Sequence, residues 1–175
     1  MSEITIYVQK EENLQLPFYA SEDDAGMDIR ATEDVIIAPG ETVIVKTGLK
    51  LAIPSGFEIQ VRPRSGLSYK TPLRVANTPG TVDAGYRDEV GVIINNTSKD
   101  YYWENDTLKR LIKSDETTFS IDEKGNKNGY YHIKKGDRIA QLVLCEVHKA
   151  NLILTDDVST IGKNRGGGFG HSGTN

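Results

Sequence analysis

Turn-forming residues cut this chain into short apolar runs, and no stretch sustains a long amphipathic helix. In DVIIAPGETVIVKTGLKLAIPSGFEIQVRP, β-branched runs are divided by Pro39-Gly40 and Pro54-Ser55-Gly56. Proline presets a turn and cannot donate to a strand ladder, and glycine reaches left-handed backbone without steric cost. Ile4, Ile6 and Val8 alternate with polar residues, while EVGVIIN and RIAQLVLCEV are apolar runs of strand length. Turn signals at this spacing predict an all-β sandwich or barrel. The best helical candidate is NDTLKRLIK, where Leu108, Leu111 and Ile112 fall at helical spacing behind Asn105 or Asp106 as a cap.

A chain of 175 residues with 37% hydrophobic and 26% charged content fits one globular domain, residues 1–175. Residues 97–135 differ from the rest. They are polar and charged, with Tyr101, Tyr102 and Trp103 at one end and Tyr130 and Tyr131 at the other. KGNKNG between them reads as a hairpin tip. This is either a surface hairpin whose aromatics pack on the body, the favoured reading, or a partner-binding surface. The formal net charge of -4 argues against a general nucleic-acid binder. A small polyphosphate needs only a local basic cluster, which Arg62, Arg64, Lys70 and Arg74 supply. No run is long enough to cross a bilayer, and the opening MSEITIYVQK lacks the pattern of a signal peptide. A lone Cys145, expected in a buried strand, excludes an internal disulfide. An intracellular, cytoplasmic protein is expected.

Several stretches carry chemistry. In PRSGLSYK, Arg64 offers a fork of donors for phosphate, Ser65 a hydroxyl, and Gly66 a backbone N–H open to close approach. In NTPGTVDAGYRDEVGVIINN, Asn77, Pro79 and Gly80 form a turn before Thr81 and Val82. Asp83 beside it is either a partly desolvated base for water or a turn-former capping local N–H groups. Tyr86 is either a wall for a sugar or a core aromatic. Asp23, Asp24 and Asp28 can serve a hard cation or form an acidic loop. In KKGDRIAQLVL, Asp137 and Arg138 suit an ion pair, and Gln141 points at a ligand or out of the sheet. The ending NRGGGFGHSGTN is either a loose tail or a flap. As a flap, its N–H groups and Arg165 close on an anion and Phe169 lies on a flat ligand.

Five segments, AGMDIRA, PRSGLSYK, NTPGTVDAGYRDEVGVIIN, GDRIAQLVL and RGGGFGHSG, run in this order from Ala25 to Gly173. Together they closely resemble the five ordered motifs of the trimeric dUTP pyrophosphatase (dUTPase) family. The resemblance implies a jelly-roll-like β-sandwich, a homotrimer with active sites shared between subunits, and a C-terminal arm at about residues 160–175 that closes over a neighbour's site. It implies Mg²⁺-assisted, in-line hydrolysis of dUTP to dUMP and pyrophosphate, with Asp83 activating the water. Asn77 and the backbone of Gly80, Thr81 and Val82 then match the uracil-reading hairpin, and Tyr86 the residue packing on deoxyribose. Arg64, Ser65 and Gly66 match the phosphate clamp, and Gln141 a further phosphate contact. Arg165 matches the arginine reaching the γ-phosphate, Phe169 the aromatic stacked on uracil, and Gly170 belongs to the same arm. Asp28 resembles the aspartate that acts on Mg²⁺ through water.

The sequence departs from the family pattern in three places. Asp88 stands where glycine usually precedes the glutamate of the third motif. The spacing from Arg165 to Phe169 is one residue short. The stretch between the third and fourth motifs, about 97–135, is longer than usual. Insertions of this kind occur in phage-encoded members, where they are linked to a regulatory protein partner, so a phage or prophage origin fits. Two rival functions stay open: a dCTP deaminase-like or bifunctional enzyme using Glu89, and a nucleotide-gated regulatory binding protein acting through the insertion.

Overall fold

The computed structural model describes residues 3–123, 125–164 and 166 of the chain. Its strands are β1 (Tyr7–Lys10), β2 (Met27–Arg30), β3 (Val35–Ile37), β4 (Thr42–Ala52), β5 (Phe57–Arg62), β6 (Leu73–Val75), β7 (Gly80–Val82), β8 (Glu89–Asn96), β9 (Tyr101–Glu104), β10 (Thr107–Arg110), β11 (Thr118–Ser120), β12 (Tyr130–Ile133) and β13 (Arg138–Glu146). Among the described residues the one α-helix is α1 (Ser65–Lys70). None is long and apolar enough to cross a membrane.

The turns act as sheet switches. One four-stranded sheet runs β1-β4-β8-β6 and another β2-β13-β5-β7, with a three-stranded sheet β11-β12-β3 beside them. The turns at Gly40 and Gly56, both at positive φ, pass the chain from β3 to β4 and from β4 to β5, each time into a different sheet. Inward residues of all three sheets meet in one core. Val45, Val92 and Ile94 come from the first, Ile29, Ile59 and Leu142 from the second, and Ile37 and Ile133 from the third. In β8 the alternation is complete, with Val90, Val92, Ile94 and Asn96 buried and their neighbours half-buried. Each such aliphatic side chain contributes roughly 1.5–3 kcal/mol on burial. The result is the expected all-β, jelly-roll-type sandwich.

The region 97–135 differs from its sequence-based reading in three ways. NDTLKRLIK forms no helix. Asn105 and Asp106 both take positive φ and make the two-residue turn of the β9–β10 hairpin, pairing Thr107 with Glu104. That backbone twist matches the twist of the flanking strands, so hairpin geometry outcompetes a helical spacing with no face to pack on. Nor are the strands on either side of KGNKNG the arms of a hairpin, because β11 and β12 run parallel. The aromatics divide. Tyr131 is buried against Phe119, whereas Trp103 is 69% exposed and Tyr101 and Tyr102 are exposed beside it. Beside the β12–β3 pairing, the segment is tied to the body through Asn96, fully buried. Its Nδ2 donates to the carbonyls of Ile37 (3.0 Å) and Gly129 (2.8 Å), and its Oδ1 accepts from the Ser98 N–H (3.0 Å).

Candidate active site

Two polar centres form on the β2-β13-β5-β7 sheet. In the first, register places Asp28 of β2 opposite Gln141 of β13, and Gln141 opposite Arg62 of β5. Gln141 is held by a bond from its Nε2 to the Pro63 carbonyl (2.9 Å). A Cβ at Gly26 would meet the end of the Gln141 side chain, so a larger residue there would displace Gln141. Asp28 is gripped twice: Arg64 Nε donates to Oδ1 at 2.8 Å and Arg138 Nη1 to Oδ2 at 3.1 Å. Arg64 also donates weakly to the Arg138 carbonyl (3.3 Å). The neighbouring cleft, about 380 Å³, is lined by Asp28, Arg30, Arg62, Arg138 and Gln141 on one wall and by residues 14–18 on the other. Arg64 is the residue before α1, so the exposed Ser65 and Gly66 open the helix with N–H groups that lack helical partners. A Cβ at Gly66 would meet nothing, so the space over it is open.

The second centre is at the sheet edge. Among the described residues β7 pairs only with β5, through Val82–Ile59, Thr81–Gln60 and Gly80–Val61, so its other edge carries backbone groups without a ladder partner there. β6 and β7 belong to different sheets, so residues 76–79 span the sandwich end rather than closing a paired hairpin. Asn77, Gly80, Thr81, Val82, Tyr86, Val61, Val90 and Gly91 line a recess of about 180 Å³. Tyr86 is not a core aromatic. It is 40% exposed, and is fastened by its N–H to the Asp83 carbonyl (3.0 Å) and by its hydroxyl to the Glu89 carbonyl (2.9 Å). The Asp83 side chain is exposed at the rim rather than desolvated.

The sequence-derived residues thus fall into two sets. Asp28, Arg64 and Gln141 gather at the arginine centre, with Ser65 and Gly66 beside it. Asn77, Gly80, Thr81, Val82 and Tyr86 gather at the edge recess, with Asp83 at its rim. The two cavities share no lining residue. Arg165, Phe169 and Gly170 lie outside the described residues. Three local expectations are corrected. Arg138 pairs with Asp28, not Asp137, whose carboxylate instead accepts the Lys134 N–H. The basic run disperses: Arg62 binds the Gln60 side chain, and Arg74 binds the carbonyls of Thr71 and Leu73. Asp23, Asp24 and Asp28 form no cage, Asp24 capping the Ser21 N–H instead. Sequence reasoning also passed over Glu89 as an anchor: its Oε1 accepts the N–H of Thr47 (3.1 Å) and of Gly48 (2.8 Å).

The fold and the two centres define a β-sandwich with a recess at the outer edge of β7 and a separate cleft lined by Arg30, Arg62 and Arg138. The family model for dUTPase matches residues 12–113. A deoxyuridine 5'-triphosphate nucleotidohydrolase from Anaeromyxobacter sp. is 41% identical over 160 residues, 91% of this chain and 88% of that protein. A tyrosine-to-alanine variant of the dUTPase of Staphylococcus bacteriophage 80alpha, with dUpNHpp, superposes with a TM-score of 0.76 at 31% identity, covering 97% of this chain and 99% of that one. A variant dUTPase from phage phi11 of S. aureus, whose structure reveals how a structural Mg(II) ion is coordinated, gives a TM-score of 0.71 at 29% identity, covering 89% and 99%. The chain belongs to the dUTPase family.

Proposed function

We propose that the chain hydrolyses dUTP to dUMP and pyrophosphate at a site that two or more copies of it complete together in a homotrimer. The observation that carries this is the edge recess, which collects Asn77, Gly80, Thr81, Val82 and Tyr86 around the unpaired edge of β7. Backbone donors and acceptors there fit the edge of uracil. Cytosine would leave them mispaired, which is costly for buried groups. Tyr86 walls the sugar. Among the described residues the recess holds no arginine, and the arginine centre holds none of the base-reading residues. A neighbour's Arg64, Ser65, Gly66 and Gln141 brought to the recess would supply the phosphate clamp. In this proposal residues 1–175 form one domain, 97–135 are an insertion, and Arg165, Phe169 and Gly170 act from the closing arm.

Asp83, at the rim, takes a proton from a water in line with the α-phosphorus. The water oxygen bonds to phosphorus as the bond to the pyrophosphate oxygen breaks, and the electron pair leaves with pyrophosphate. Arg64 neutralises charge that builds on the phosphate oxygens. The donor set fits Mg²⁺ held on the substrate rather than in a protein cage. Both Asp28 oxygens already accept from arginines, yet each keeps a lone pair for a metal-bound water. When bound, Mg²⁺ would supply charge neutralisation on the triphosphate.

The deaminase alternative is disfavoured because Glu89 Oε1 is engaged by the N–H groups of Thr47 and Gly48, which turns the side chain toward the β4 bulge. Exposed Tyr101, Tyr102, Trp103 and Leu108 on the β9–β10 hairpin favour a second role, docking of a regulatory protein. Hydrolysis is tested by pyrophosphate release from dUTP, dCTP, dTTP and UTP, with Asp83→Ala alongside. Cleavage confined to dUTP and lost in the variant supports the proposal. A folded wild type that binds dUTP but leaves it intact overturns it.

A further inference from the structure

We propose that Glu89 is a positioning residue that tethers Tyr86, and through it sets the preference for a deoxyribonucleotide over a ribonucleotide. The inference rests on the dUTP reading of the edge recess. It begins with a mismatch between two strands. Lys46 pairs with Gly91 and Lys50 with Glu89, so β4 has three residues, Thr47, Gly48 and Leu49, where β8 has only Val90. The extra residues bulge, and the N–H groups of Thr47 and Gly48 lose their place in the ladder. Glu89 Oε1 accepts both, at 3.1 and 2.8 Å. The bulge is itself pinned. Thr47 Oγ1 donates to the Val90 carbonyl, and Gly48 sits at φ +66° where a Cβ would lie 2.9 Å from the Thr32 methyl.

The backbone of Glu89 is therefore held from its own side chain, and its carbonyl is the acceptor for the Tyr86 hydroxyl. The other hold on Tyr86 is its N–H bond to the Asp83 carbonyl. Tyr86 is 40% exposed, and its hydroxyl bond to Glu89 is the polar contact that adds to packing in setting the angle of the ring. Glu89 also stands between the centres: Thr47, which it caps, lines the arginine cleft, while Tyr86 and Val90 line the recess. One oxygen accepts both N–H bonds, so an amide oxygen can replace it. A role as general acid or base would not survive that replacement.

The test compares wild type with Glu89→Gln, Glu89→Ala and Tyr86→Phe. Two quantities are measured: affinity for the non-hydrolysable α,β-imido analogues of dUTP and UTP, and kcat/KM for the two nucleotides. Glu89→Ala is expected to lower the dUTP-over-UTP preference about tenfold, Tyr86→Phe to move it in the same direction, and Glu89→Gln to stay within about twofold of wild type. A preserved preference in Glu89→Ala overturns the tether, as does a Gln variant as impaired as the Ala variant. Should Glu89→Ala fail to fold, an unchanged preference in Tyr86→Phe overturns it. A wild type that binds neither analogue sinks the dUTP reading itself, whereas normal wild-type discrimination with an unaffected Glu89→Ala sinks the tether alone.

Discussion

Replacing Asn96 by alanine removes one joint between the sandwich and the 97–135 segment, which the β12–β3 pairing also holds. The side chain is fully buried and makes three hydrogen bonds, two to carbonyls on β3 and before β12 and one from the Ser98 N–H. Each such bond contributes about 1 kcal/mol net, and leaving a buried partner unsatisfied costs about 1–3 kcal/mol. The two carbonyls keep a second lone pair, so the low end applies to them. The Ser98 donor has no such alternative. Together these give a loss of about 3–5 kcal/mol. For a domain of this size that lowers Tm by roughly 10 °C. The assay is thermal and urea unfolding of both proteins at one fixed concentration, since association shifts apparent stability. A loss under about 1 kcal/mol would show that these bonds are readily replaced by water and refute the reasoning.

Three further outcomes follow from the same geometry. In Gly80→Ala the new Cβ would lie 3.0 Å from Asn77 Nδ2 and 3.4 Å from Val61, so KM for dUTP should rise about tenfold with little change in stability. Asp28→Ala frees Arg64 and Arg138; kcat/KM should fall about a hundredfold, while stability changes by under about 1 kcal/mol because the pairs are partly exposed. The Lys135 N–H, with His132 nearby, holds the Asp34 carboxyl below its usual value. A depressed carboxylate stabilises above its unfolded pKa of about 3.9 and loses that contribution as pH falls through the folded value. Urea midpoints from pH 6 to 2.5 should therefore converge for wild type and Asp34→Asn at the acid end.

Local chemistry was legible in the sequence and long-range pairing was not. The turns at Gly40 and Gly56 and the alternation in β8 announced a sandwich, because proline, glycine and period-two burial act over a few residues. The edge recess was legible because Asn77 to Tyr86 are contiguous in the chain. The Asp28–Arg138 pair joins residues 110 apart, and the Glu89 bonds to Thr47 and Gly48 span 42 and 41 residues, so no spacing rule exposed them. The 107–112 region misled because Leu108, Leu111 and Ile112 fit a helix, while the backbone at Asn105 and Asp106 had already committed the segment to a hairpin.

The most direct test of the shared-site account is complementation between two inactive variants, Asp83→Ala and Arg64→Ala. Each is assayed alone for pyrophosphate release from dUTP, then the two are unfolded, mixed in equal amounts and refolded. If Asp83 and Arg64 of one site come from different copies, random assembly restores both in about a quarter of sites, and activity should return to about that fraction of wild type. A refolded mixture no more active than either variant alone would contradict a site divided between copies.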